Sequence, residues 1–133
     1  MIAKYGKTDH EVTHNMLVDL KTDKRLLFLV DRMGEILSKI DSKELKDKEL
    51  TICGYSDFRV EPDGVYGVSD RFHDFAERSK DHPSAYMRAR GLFVIKTLPK
   101  ALKIEKELFA NVSIKPNRIN DKSIKPYLDK YMK

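Results

Sequence analysis

The feature that most constrains the fold is a broad apolar stripe between Lys24 and Ile40. The apolar residues there recur at the spacing of an α-helix with one hydrophobic side: Leu26, Leu27, Leu29, Val30, Met33, Ile36, Leu37 and Ile40. Such a helix has to bury that side against another element. The stripe predicts a helix from Lys24 to about Ile40, with Thr22 or Asp23 at its N-terminal cap.

The residues before this stripe predict the partner helix. Thr8 and Glu11 have the spacing of a capping box, in which the Thr8 side chain accepts from the amide of Glu11 and the glutamate reaches back. The apolar residues that follow recur every four positions: Val12, Met16 and Leu20. We therefore expect an N-terminal helical hairpin with Leu29, Met33 and Leu37 along its buried centre.

The middle of the chain is rich in strand formers. Residues 50–55, Leu-Thr-Ile-Cys-Gly-Tyr, predict a strand. Two further segments, 58–60 and 65–68, flank Glu61-Pro62-Asp63-Gly64, in which Pro62 presets a turn position and Gly64 can take a positive φ. This second pattern predicts one small antiparallel β-hairpin.

Helices are expected again in the second half. Ser69 can cap a short helix with an aromatic face, and Pro83 can open a longer one. Gly91 followed by Leu-Phe-Val-Ile is also compatible with a buried strand at residues 91–97, although the spacing of the apolar residues favours a helix. Pro99 is expected to end that helix and to start the next.

These elements predict an α+β protein that is predominantly helical. We expect a single globular domain at residues 1–112 and a basic, proline-containing C-terminal tail at residues 113–133. The tail contains Ser-Ile-Lys-Pro twice, which favours an extended segment with at most one closing helical turn at residues 127–131.

The charge is distributed unevenly along the chain. Residues 1–80 carry a net charge of −2, whereas residues 81–133 carry 12 Lys and Arg against 5 Asp and Glu, a net charge of +7. A basic region of this kind is typical of proteins that bind nucleic acid or an acidic protein surface. The candidate binding residues are Arg88, Arg90, Lys96, Lys100, Lys103, Lys115, Arg118, Lys122 and Lys125. Tyr127 and Tyr131 are candidates for base stacking.

A second pattern indicates metal chemistry. Residues 10–14 read His-Glu-Val-Thr-His, in which two histidines one helical turn apart can bind zinc and the glutamate can activate a metal-bound water. The string resembles that of the zincin metallopeptidases. In their gluzincin branch a glutamate about twenty residues downstream is the third ligand, and Glu35 lies 21 residues after His14. The resemblance implies a zinc-dependent hydrolase with ligands His10, His14 and Glu35 and with Glu11 as the catalytic base.

Several other classes lack their sequence signature. The longest apolar runs, 26–30 and 92–95, are far shorter than the roughly 20 residues of a membrane-spanning helix. Cys53 is the only cysteine, which excludes an intramolecular disulfide. Phosphate-binding glycine motifs are absent, and the first residues lack the apolar core of a secretory signal, which favours the cytoplasm.

The sequence therefore favours a non-catalytic, intracellular accessory or regulatory module. We expect it to bind the phosphate backbone of nucleic acid, or an acidic partner, through its basic C-terminal third, without a cofactor. A zinc-dependent hydrolase is the first alternative, although Glu11 also has a structural role in the capping box. A protein–protein interaction module with no nucleic-acid role is the second alternative.

Overall fold

A computed structural model describes residues 5–33, 35–36, 46–61 and 63–132. The chain divides into two compact units, Met1–Gly54 and Tyr55–Lys133. The described residues are mostly helical and contain a single two-stranded antiparallel sheet, which confirms the predicted α+β class. The domain limits at residues 1–112 and 113–133 stay predictions.

The first unit begins with the predicted capping box. Helix α1 spans Asp9–Asp19, and Thr8 Oγ1 accepts from the Glu11 amide at 3.2 Å while the Glu11 carboxylate accepts from the Thr8 amide at 3.2 Å. Helix α2 spans Lys24–Met33, and the Asp23 carboxylate accepts from the Arg25 amide at 2.7 Å just before it. Both predicted helix starts are confirmed.

The apolar stripe of α2 is less buried than the sequence predicts. No residue of α2 is fully buried: Leu29 is half-buried and Met33 is exposed. The low burial of this stripe has a physical reason. Helix α1, which was expected to cover it, contributes no buried residue and carries few apolar side chains. Leu37 and the end of the predicted helix at Ile40 lie outside the described residues.

A helix replaces the strand predicted at residues 50–55. Helix α3 spans Lys48–Asp57. Asp47 starts it, because its carboxylate accepts from the Leu50 amide at 3.1 Å and its carbonyl accepts from the Thr51 amide at 3.0 Å. Leu50 is buried, as is Gly54, where a Cβ would collide with the side chain of Ile36. The cap and this packing outweigh the strand propensity of the individual residues.

The predicted β-hairpin is confirmed in the second unit. Strands β1, Val60–Glu61, and β2, Gly64–Val65, pair with Val60 opposite Val65. Gly64 has a φ of 157°, the positive value expected at the end of the turn. Pro62 lies outside the described residues.

Two long helices pack against each other after the hairpin. Helix α4 spans Val68–Lys80 and helix α5 spans Ala85–Phe109. Ser69 is not the cap of α4, because the helix already starts at Val68, and the Gly67 carbonyl accepts from the Arg71 amide at 3.0 Å. The helices approach closely at Gly91, where a Cβ would lie 2.6 Å from the Cβ of buried Ser79.

Pro99 lies inside α5 and does not end it. The helical interpretation of residues 91–97 is therefore right, and the predicted break at Pro99 is wrong. Proline removes one backbone donor from the helix. Buried residues on both sides of Pro99, among them Thr97 and Ala101, hold the helix to a common packing surface, while Pro99 itself is exposed.

The C-terminal tail is folded rather than extended. A 3₁₀ turn spans Pro116–Arg118, and helix α6 spans Asp121–Tyr131, so the predicted single turn at residues 127–131 is too short. Asn120 starts α6 with a capping box in which its side chain accepts from the Ser123 amide at 3.2 Å. This cap stabilises the start of α6 before the chain reaches Pro126. The helix continues past the proline and lacks one backbone hydrogen bond there.

A buried arginine holds the start of this tail. The guanidinium of Arg59, only 5% exposed, donates to the Pro116 carbonyl at 3.2 Å and to the Ile119 carbonyl at 2.8 Å. It also donates to the Tyr55 hydroxyl at 2.7 Å and lies 3.7 Å from the Glu105 carboxylate. The Arg59 guanidinium therefore joins the tail to α3 and α5.

Within the part of the chain that the structure describes, no helix is long and apolar enough to cross a membrane.

Candidate nucleic-acid interface

Three lysines lie along one face of α5. Lys96, Lys100 and Lys103 are separated by four and three residues, and all three side chains are exposed. With 3.6 residues per turn and 1.5 Å of rise per residue, they fall within about 60° around the helix and about 10 Å along it. This lysine face, as we call the three residues, presents its positive charges in one direction.

The packing of α5 fixes the direction of the lysine face. Ala101 and Ile104 are almost fully buried. Ala101 lies on the side of the helix away from Lys96 and Lys103, while Ile104, four residues after Lys100, lies at the edge of the lysine face. Gly91 brings the same buried side close to α4. The helix cannot turn the lysine face inward without exposing this apolar surface, so the face remains directed to solvent.

Two of the three cations of this face, Lys96 and Lys100, differ from the exposed Arg78 in having no neighbouring carboxylate among the described residues. In the described residues, no carboxylate lies within ion-pair distance of Lys96 or Lys100, whereas Arg78 pairs with Asp74 at 2.6 Å and with Glu61 at 2.8 Å. Glu107, one turn beyond Lys103, is an exposed carboxylate at the C-terminal end of the face. Lys96 and Lys100 are therefore available to an external anion.

Two aromatic rings extend the lysine face toward the start of α5. Phe93 is 51% exposed and lies about one turn before Lys96, while Tyr86 is 68% exposed and lies seven residues before Phe93. The spacing places both rings on the same side of the helix as the lysines. The helical pattern alone could not show this exposure, since it does not say which side of α5 packs inward.

The two arginines of α5 make local contacts instead. Arg88 donates to the carbonyls of His82 at 2.5 Å and Pro83 at 2.9 Å. The guanidinium of Arg90 lies 5.9 Å from the centre of the Phe75 ring on α4. The structure therefore separates Arg88 and Arg90 from the lysine face by their contacts, although both remain exposed.

The cations of the tail lie apart from the lysine face. All four side chains are exposed: Lys115, Arg118, Lys122 and Lys125. The tail is held next to Glu105, which follows Lys96 by nine residues and therefore lies half a turn around α5 from it. The nine candidate cations thus form separate groups, and Tyr127 and Tyr131 are exposed on α6 with the tail group.

The same unit also contains an acidic cleft of about 470 Å³ between the hairpin and α4. Glu61 accepts from Arg71 and, at 2.8 Å, from Arg78, and burial lowers the pKa of Arg71. The Tyr66 hydroxyl donates to Asp63 at 2.9 Å, which raises the pKa of Tyr66. Most polar side chains of this cleft are therefore already paired with one another by hydrogen bonds or ion pairs.

The residues of the His-Glu-Val-Thr-His string have other partners. His14 Nδ1 lies 2.9 Å from an Asp31 carboxylate oxygen on α2, and His10 Nε2 lies 3.7 Å from the same oxygen. Glu35 pairs with Arg32 at 3.0 Å, and Glu11 is engaged in the capping box. No set of three or more His, Cys, Asp or Glu side chains within the described ranges is arranged to hold a metal. Zinc binding stays an untested alternative hypothesis.

Comparison with protein-family models, with curated protein sequences and with solved structures found no match for this chain. The lysine face can bind a line of anions, and the rings before it can contact flat apolar groups.

Proposed function

We propose that this protein is a non-catalytic accessory module that binds nucleic acid in the cytoplasm through the lysine face of α5. The observation that carries the proposal is the directed line of Lys96, Lys100 and Lys103 on a helix whose opposite side is buried. The excess positive charge of residues 81–133 supports it, because a positive field attracts a polyanion over a distance.

The chemistry of lysine indicates which part of the nucleic acid is contacted. An ammonium group is a compact, hydrated charge that lacks the rigid two-pronged geometry with which arginine recognises guanine. Arg88 and Arg90, which have that geometry, make contacts within the protein. The lysine face is therefore suited to phosphates, and binding should depend little on base sequence.

An acidic protein could also bind lysines, but the linear arrangement favours a polymer. A nucleic-acid strand carries a phosphate at every nucleotide, so it offers consecutive charges along one direction. The lysine face repeats positive charge along the axis of a single helix. Binding to an acidic protein is the competing outcome of the experiment below.

The experiment compares two triple variants of equal charge. One changes Lys96, Lys100 and Lys103 to Gln, and the control changes Lys24, Lys46 and Lys48, all exposed residues of the first unit, to Gln. Affinity for a mixed-sequence single strand and for a duplex is measured at about 50 mM salt, where electrostatic binding is strong.

We expect the α5 variant to lose at least about tenfold in affinity for nucleic acid while the control stays within about twofold of the wild type, because only the α5 variant removes phosphate contacts. Equal losses in the two variants would show that net charge alone is responsible. An unmodified protein that binds neither polymer would refute the proposal and would leave an acidic protein as the partner to test.

A further inference from the structure

We infer, on the basis of the proposed function, that the preferred ligand is a single-stranded nucleic acid whose bases stack on Phe93 and Tyr86 while the lysine face holds its backbone. Phe93 and Tyr86 are exposed aromatic side chains on the same side of α5 as the lysines. Positive charge next to exposed rings is the combination by which proteins bind single strands without base specificity.

The spacing of these side chains fits a strand that lies along the helix. Tyr86 precedes Phe93 by seven residues, and Phe93 precedes Lys100 by seven, so each step covers about 10 Å of the helix axis. The whole row from Tyr86 to Lys103 covers about 25 Å. A strand of several nucleotides can therefore contact a ring and a lysine at the same time.

The exposed rings favour a single strand over a duplex. In a duplex the faces of the bases are covered by their neighbours, so that a protein reaches only base edges and the backbone. An unpaired base offers its face to a protein ring. Only a single strand can use Phe93 and Tyr86 as stacking partners, whereas both polymers can use the lysines.

A lipid surface is the other occupant that lysines and aromatic rings can contact. A helix that lies in a membrane interface inserts a continuous apolar side. The main apolar side of α5 is instead packed inside the protein, with Ala101 and Ile104 buried. The exposed rings occupy only the part of the helix before Lys96, which favours the single strand.

The test uses Phe93→Ala, Phe93→Tyr and Leu92→Ala in the full chain. Leu92 is a matched control, because it is 62% exposed and apolar but has no ring. The probes are an oligothymidine strand, a duplex of the same length, and vesicles containing anionic lipid.

We expect Phe93→Ala to weaken binding of the strand about tenfold and to leave duplex binding nearly unchanged, because stacking is lost only with unpaired bases. Phe93→Tyr keeps a ring and should bind the strand like the wild type. Leu92→Ala should also behave like the wild type.

Equal affinity of the wild type for strand and duplex, both reduced by the α5 lysine variant, would overturn this inference and leave the proposed function intact. An equal loss of strand binding in Phe93→Ala and Leu92→Ala would show a general apolar contact and would also overturn it. The same holds if vesicles bind more tightly than the strand and Phe93→Ala abolishes that binding. If the α5 lysine variant binds both polymers like the wild type, the proposed function itself fails.

Discussion

The Arg59 guanidinium donates a hydrogen bond of 2.8 Å to the carbonyl oxygen of Ile119, sixty positions later in the chain. Because Arg59 is buried, this bond and the bonds to the Pro116 carbonyl satisfy polar groups that water cannot reach easily. The beginning of the C-terminal tail is therefore part of the folded second unit.

Replacement of Arg59 by methionine should lower the free energy of unfolding by about 3 kcal/mol, because the change keeps apolar volume but removes the cation next to Glu105 and leaves several backbone carbonyls without their donor. Urea unfolding measures the effect. Arg78→Met is the control: its guanidinium pairs with Asp74 and Glu61 but is half exposed, so its loss should cost about 1 kcal/mol or less. Equal costs for the two variants would contradict the anchoring role of Arg59.

The fold could be predicted from the sequence where the interactions are local. The capping box of Thr8 and Glu11 and the turn that ends at Gly64 involve residues within three positions of each other, and both are confirmed. Strand propensity at residues 50–55 was misleading because burial of Leu50 and the cap at Asp47 determine the helix. The contact between Arg59 and Ile119 has no local signal at all.

Gly91→Ala tests the close approach of α4 and α5. Alanine normally favours a helix by about 0.5–1 kcal/mol over glycine. At Gly91 the new Cβ would lie 2.6 Å from Ser79 Cβ, so we expect a net loss of about 1–3 kcal/mol as the helices move apart.

Ser79→Gly provides the matching second substitution for Gly91→Ala. If the contact is responsible, the double variant should be more stable than the sum of the two single effects by at least about 0.5 kcal/mol. Simple additivity of the two effects, or a stabilising Gly91→Ala, would show that α4 and α5 do not approach each other closely at Gly91.

The stability of the folded protein at alkaline pH should depend on Tyr55. Burial, together with the hydrogen bond of 2.7 Å from its hydroxyl to Glu105, raises the pKa of Tyr55 to about 12 from an ordinary value of 10. A raised pKa means that the folded state favours the protonated phenol. This contribution to stability is full below about pH 10 and is lost as the pH rises toward 12.

Unfolding measured across this alkaline range should therefore show a smaller decline for Tyr55→Phe than for the wild type. A pH titration of the folded protein followed by tyrosinate absorbance should also differ: the step at the highest pH should be missing in Tyr55→Phe. A wild-type protein whose tyrosines all titrate near pH 10 would contradict the buried position of this phenol.

Acidic pH should reveal the cap at the start of α1. Hydrogen bonds from the Lys7 and Thr8 amides lower the pKa of Glu11 below its ordinary value of 4.5. A lowered pKa means that the folded state favours the carboxylate, so its contribution is present above about pH 4.5 and is lost as the pH falls below it. Glu11→Gln should make stability less dependent on pH in that range.

Helicity followed by circular dichroism during acid titration measures this dependence. Glu107→Gln, an exposed substitution on α5, is the control and should retain the wild-type profile. Identical acid profiles for Glu11→Gln and the wild type would show that the capping carboxylate has no role in the stability of α1.

The candidate interface could be predicted only in part from the sequence. The spacing of Lys96, Lys100 and Lys103 is a local property of a helix and could be read directly. The outward position of Phe93 could not, because it depends on which side of α5 packs against α4. The separation of the tail cations likewise depends on the long-range contact at Arg59.

The salt dependence of binding tests the central claim most directly. For a single strand, each phosphate contact contributes about 0.7 to the slope of log affinity against log salt concentration. Replacing Lys96, Lys100 and Lys103 by Gln should therefore make this slope shallower by about 2, while the Lys24, Lys46 and Lys48 variant should keep the wild-type slope. Equal slopes for the wild type and the α5 variant would show that this face does not contact the phosphate backbone.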